Sequence, residues 1–246
     1  MVRKYALVFT DTNSLLRLLY AIATARHRGQ GTPLRLLLES GRLQVLVTEY
    51  IVKEAERKLP KLVTKRAVSH WDMEPSEILN RLREELENML RTEQVVPVDA
   101  DETAYARIRR AVEERSNRQI ALRHRGWLLH CVAREACRKN IGKDLPVVEG
   151  ILLAYDVAAA VPASSRAGIT RPPFPVVTDD RDLFCSLYKC LRRRNLDRLI
   201  VLIRYDTFRE LIPKWTTEGE GISDDEMYRW CLSRHCNGAR HVSSQP

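Results

Sequence analysis

The chain has 246 residues, enough for one large domain or one domain carrying an insertion around a sizeable core. A hydrophobic share of 44% excludes a disordered chain. Lys and Arg outnumber Asp and Glu by 41 to 32, and the resulting charge of +9 favours an anionic partner such as nucleic acid over a membrane surface.

Tyr5 to Phe9 is a run of β-formers that stops at Asp11-Thr12-Asn13, and apolar residues then recur at helical spacing from Leu15 to Ala23. This predicts strand, turn and helix. Asp11 and Asn13 are either helix caps or, at the carboxyl end of a strand in a parallel sheet, members of a site. A short helix over Leu34 to Glu39 and a strand over Leu43 to Val47 follow, and Thr48 opens a further helix that carries Glu54. Pro75 opens a long amphipathic helix, and Gln94 to Val98 reads as a short strand. Asp99 or Asp101 then caps a helix whose apolar stripe includes Ala104, Ile108 and Val112.

Between Arg107 and Lys143 eleven basic residues face three acids, an excess that mutual pairing cannot absorb. The segment is read as a phosphate-binding surface, with a solvated helix face as the alternative. Asp144-Leu145-Pro146 then opens a helix that is apolar all round, with Glu149 in its first turns. A carboxylate in such surroundings requires a cation, a partner or water in a cleft.

After a loop over Pro162 to Pro175, the strand Val176-Val177 runs into Thr178, Asp179, Asp180 and Asp182. A helix from Leu183 to Arg194, a buried strand from Leu199 to Ile203 and a short helix from Asp206 ended by Pro213 complete the core. The tail beyond is polar, with one further helix expected at Asp224 to Leu232.

The six cysteines form no C-x-x-C pair and read as reduced thiols, and Cys231, His235, Cys236 and His241 match no usual zinc spacing. No signal-peptide pattern precedes Asp11, and the apolar run from Gly150 to Val161 is too short to span a bilayer. A cytoplasmic protein without a membrane partner is expected.

Strands alternating with helices imply an α/β fold, an open parallel sheet covered on both faces. Two strands that each end in acids suggest one acidic site, because carboxylates held together repel unless a cation neutralises them.

At this point the chain resembles a known family. Phe9-Thr10-Asp11-Thr12-Asn13, Glu54, Glu149-Gly150-Ile151-Leu152-Leu153-Ala154 and Val176-Val177-Thr178-Asp179-Asp180-Arg181-Asp182 occur in the order of the PIN-domain ribonuclease motifs. VapC-like toxins of toxin–antitoxin pairs belong to that family. The resemblance implies a PIN-like domain over residues 1–212, with a basic helical insertion at about 62–143 and a C-terminal extension over 213–246. It implies an Mg²⁺- or Mn²⁺-dependent endoribonuclease with catalytic Asp11, Glu54, Glu149 and Asp180. Asp11, Glu149 and Asp180 would bind the metal, supported by Asn13, Thr178 and Asp182.

The third acid of the family is more usually Asp, which keeps Asp144 open as an alternative to Glu149. RNA would be gripped by Arg118, Arg123, Arg125, Arg134, Arg138 and Lys139, and an antitoxin, another protein or a second copy in a homodimer would be a further partner. Two other functions compete: a PIN-like scaffold that binds RNA or a partner without cutting, and a haloacid-dehalogenase-like phosphohydrolase. The latter class needs a carboxylate where this chain has Asn13.

Overall fold

A computed structural model describes residues 6–64, 71–101, 110, 119–136, 142–161 and 174–215. Five short strands, β1 (Ala6–Thr10), β2 (Leu43–Val47), β3 (Val95–Pro97), β4 (Phe174–Val177) and β5 (Ile200–Ile203), form one sheet in the order β3-β2-β1-β4-β5. Every pairing is parallel, and β1 lies at the centre with Ala6 beside Leu43 and Phe9 beside Val176. All five residues of β1 are buried, as a strand covered on both faces requires. The expected α/β fold with a parallel sheet is present.

Eight α-helices are described: α1 (Thr12–His27), α2 (Pro33–Glu39), α3 (Glu49–Thr64), α4 (Pro75–Arg91), α5 (Ile120–Glu135), α6 (Leu145–Ala160), α7 (Arg181–Arg193) and α8 (Tyr205–Trp215). Helices α1, α3 and α4 pack on one another, whereas α5, α6 and α7 form a second group in which α6 lies against β1, β2 and β4. The chain adds strands outward from β1 to β3 and then returns to β4 on the other side. Right-handed crossovers in opposite directions place the two groups of helices on opposite faces.

Gly150 explains how close α6 comes to the sheet. A Cβ built there would fall well inside van der Waals contact with Thr48 Cγ2 and lie 3.2 Å from Phe9 Cζ, so only a hydrogen side chain fits.

Two features depart from the sequence reading. Residues 62–143 are not purely an insertion, because β3 pairs with β2 as an edge strand of the sheet. Asp99, expected with Asp101 as a cap of a helix that lies outside the described residues, accepts a hydrogen bond of 2.8 Å from Glu49 N in the first turn of α3. Pro213 does not end the last helix, which runs on to Trp215.

The thiol expectation is corrected as well: Cys131 of α5 and Cys190 of α7, both buried, form a disulfide. Their separation of 59 residues leaves no local motif that could show the pairing. Asp156 of α6 accepts bonds of 2.8 Å from both Ile120 N and Ala121 N, satisfying the free amides that open α5. The expected helix over Ala104 to Val112, the loop after Pro162, the candidate zinc set and the helix at Asp224 lie outside the described residues. Among the described residues no helix is long and apolar enough to cross a membrane.

Candidate functional site

The strand order reverses between β1 and β4, and at such a switch point the loops beyond the strand ends diverge and leave a crevice. A cleft of about 570 Å³ opens beside it, lined by acids from four segments: Asp11, Glu54, Asp144 and Asp180.

Asp11 follows the last residue of β1 and caps α1, with Oδ1 accepting from Ser14 N at 2.7 Å. Oδ2 accepts from the Thr178 hydroxyl at 2.5 Å, and that hydroxyl also accepts from Asp180 N at 3.2 Å. One threonine thus joins the two strand ends. The cap and the site, alternatives from sequence, are the same residue. Asp11 is only 4% exposed. Burial pushes its pKa up, the Thr178 and Ser14 bonds oppose that shift, and the nearby charge of Asp180 adds to it.

Asp180 caps α7, accepting from Asp182 N at 3.0 Å and Leu183 N at 3.2 Å. Its neighbour Asp179 is committed elsewhere. It is ion-paired with Arg17 and accepts from Tyr205 N at 3.1 Å, while Arg17 lies over the Tyr205 ring and also meets Asp206. Tyr205 is pushed up to about 12, chiefly by burial. Of the three aspartates after β4, Asp180 alone lines the cleft; Asp182 sits in the first turn of α7.

Glu54 projects from α3, and the Thr12 hydroxyl donates to its Oε2. Lys58 Nζ stands 3.0 Å from Glu54 Oε1 and 3.5 Å from Asn13 Oδ1. Burial alone would raise the Glu54 pKa, but the Thr12 bond and Lys58 outweigh it and hold the group below its usual range. Asn13 therefore has the ammonium of Lys58 as its recorded side-chain partner, whereas the resemblance implies that it orients a carboxylate.

The third acid of the cleft is Asp144 rather than Glu149. Asp144 is buried at the N-cap of α6 with Val147 beside it in the lining, whereas Glu149 is half exposed and paired with Arg125 at 2.6 Å. The reason is helical phase. Five residues turn the helix by about 140° relative to Asp144, and Gly150 fixes the phase by facing Phe9 and Thr48. Tyr50 feels both Asp144 and Glu54: its phenol is raised first by burial and then by the Glu54 charge, with Asp144 adding to it.

The cationic residues of the lining are Arg57, Lys58, Lys61 and Lys143. Arg123, Arg125 and Arg134 lie exposed on α5 and do not line the cleft; Arg118, Arg138 and Lys139 are outside the described residues. The three cations of α3 were missed because they look like an ordinary charged helix face. Their one local signal is that they share a face with Glu54, Arg57 and Lys58 about one turn away and Lys61 about two.

Among the described residues, no three carboxylate, imidazole or thiol groups converge tightly enough to enclose a metal ion. The acids ring the cleft rather than meet at a point. Oxygen donors nonetheless suit a hard divalent cation, and Asp11 is a buried carboxylate whose protonation is favoured by its surroundings. Mg²⁺ commonly keeps several waters and takes only one or two carboxylates directly, so a dispersed set fits it.

Fold and site together define an α/β protein with a cleft at the carboxyl edge of a parallel sheet, lined by four carboxylates and four cationic side chains. No family model, curated protein or solved structure matches the chain.

Proposed function

We propose that this chain is a PIN-like, metal-dependent ribonuclease hydrolysing RNA phosphodiester bonds in the cleft beside β1 and β4. The observation that carries this reading is the convergence of Asp11, Glu54, Asp144 and Asp180 on one cleft from four separate segments. Asp11, Asp144 and Asp180 would hold Mg²⁺ or Mn²⁺, with Asp144 in the role first expected of Glu149. When bound, such a cation acidifies a water and stabilises charge growing on the phosphate oxygens.

The protein's own residues supply the orientation. Thr178 fixes Asp11 and ties it to the Asp180 backbone. Thr12 and Lys58 keep Glu54 ionised and directed at the cleft. Backbone amides at the starts of α1 and α7 hold Asp11 and Asp180 in place.

The test is cleavage of a mixed RNA pool with Mn²⁺ or Mg²⁺ and with EDTA. Activity should vanish in EDTA and in Asp11→Asn and Asp144→Asn, and persist in Glu149→Gln. Activity that survives Asp11→Asn, or that is lost in Glu149→Gln but not in Asp144→Asn, refutes the assignment.

One observation favours the scaffold reading. Lys58 already neutralises part of the acidic ring, and the acids do not close on a point. RNA binding with no cleavage under any divalent cation would establish it. The phosphohydrolase reading is weaker, because Asn13, where that class needs an acid, is exposed and bonded to Lys58. A toxin role with an antitoxin partner, a homodimer and a cytoplasmic location rest on the family resemblance and the sequence.

A further inference from the structure

We propose that the cleft grips the sugar–phosphate backbone of a single-stranded polynucleotide without reading its bases, and that the grip comes from Arg57 and Lys61 of α3 and from Lys143 rather than from the exposed α5 arginines Arg123 and Arg134. This rests on the ribonuclease reading and supplies what that reading lacks, the substrate's path.

Three observations carry it. The first is the division of labour among the cations. Lys58 is spent on Glu54 and Asn13, and Arg57 reaches Glu54 only at 3.9 Å with its side chain 71% exposed. Lys61 and Lys143 are exposed and make no ion pair among the described residues. Three exposed cations are therefore available to an incoming anion. Arg57 and Lys61 stand one turn apart on α3, about 6 Å along its axis, so each can meet a different phosphate.

The second observation is what the lining omits. Among its described residues there is no Phe, Tyr, Trp or His, and the apolar members are Val147 and Leu183. Sequence-selective recognition of single strands needs groups that bond base edges; the guanidinium of Arg57 offers the lining a stacking plane, but stacking is open to every base and selects none. Asn13 is the amide of the lining, and its Oδ1 faces Lys58. What is left reads phosphates, which position a strand but carry no sequence information.

The third is depth. Asp11 is buried, while Arg57, Lys61 and Lys143 are exposed. A strand must bend inward between the exposed cations to bring a phosphate to the acids. A duplex, stiff over about 150 base pairs, resists such a local dip.

The experiment is fluorescence anisotropy in EDTA, where no cleavage occurs, using labelled oligouridylate, oligoadenylate, oligocytidylate, oligothymidylate of equal length and an RNA duplex. Wild type should bind the four single strands within about threefold of one another, with a strong salt dependence, and the duplex more weakly. Each lost phosphate contact lowers the log–log salt slope by about 0.7 on single strands. Arg57→Ala, Lys61→Ala and Lys143→Ala combined should therefore lower it by about 2, with the same loss for every base and an unchanged melting temperature. Arg123→Ala with Arg134→Ala should bind as wild type does.

A marked preference for one base, tighter duplex binding, or a triple variant that binds normally would overturn the proposal. So would loss of binding in the Arg123/Arg134 variant with the α3 triple variant unaffected. The expected binding pattern without Mn²⁺-dependent cleavage sinks the ribonuclease reading and sustains this one; cleavage with an unaltered triple variant does the reverse.

Discussion

Replacing Gly150 by alanine tests the seat of α6, and with it the assignment of Asp144 over Glu149. The new methyl meets Thr48 Cγ2 inside van der Waals contact and Phe9 Cζ at 3.2 Å, and both neighbours are buried, Phe9 completely. Neither can swing into solvent. Overpacking of this kind costs about 1–3 kcal/mol, and the better helix propensity of alanine returns about 1 kcal/mol. Because both neighbours are anchored, the upper part of that range applies, leaving a net loss of about 1–2 kcal/mol. For a chain of this size that lowers the melting temperature by about 2–8 °C.

Urea titration measures the loss, and Thr48→Ser diagnoses its cause. Serine keeps the oxygen that accepts from Ile51 N at 3.3 Å while deleting the offending methyl. The double variant Gly150→Ala/Thr48→Ser should recover at least about 1 kcal/mol relative to additivity. If Gly150→Ala is as stable as wild type, or Thr48→Ser gives no rescue, α6 is not seated as described. The placement of Asp144 in the cleft would then fall with it.

Two further outcomes follow from burial and cross-linking. Asp11 has a pKa raised above its ordinary value of 3.8, so its ionised form costs folding energy in the absence of a cation. In EDTA, Asp11→Asn should be more stable than wild type at neutral pH. The gap should close as pH falls through the raised native pKa towards the unfolded value; chemical denaturation across pH showing no gap, or one that widens in acid, contradicts the account. The Cys131–Cys190 link closes a loop of about 60 residues, worth about 4 kcal/mol by chain entropy. Cys131→Ala with Cys190→Ala should melt lower than wild type and near reduced wild type. Equal melting temperatures for oxidised and reduced wild type would show that the link does not stabilise the fold.

The sequence by itself determined the class of fold and the two strand ends that carry acids. Both are local signals. Continuous apolar runs make buried strands, 3.6-residue spacing makes helices, and Asp11 and Asp180 each stand where a strand runs into a helix. Thr178 was legible for the same reason, being one residue past β4.

Everything that depended on phase or on distant pairing was decided by tertiary structure. Asp144 and Glu149 belong to one helix, and only the seating of Gly150 on Phe9 and Thr48 sets which of them faces the cleft. Asp179 and Asp180 are adjacent and chemically identical, yet Arg17, 162 residues away from Asp179, takes one of them out of the cleft. The basic segment 107–143 drew attention by its density of charge, but the cations that line the cleft come mainly from α3, where they are interleaved with acids. Composition along the chain records how many charges a segment carries. Which of them meet is fixed by the packing of helices on the sheet, and that is a property of the whole fold.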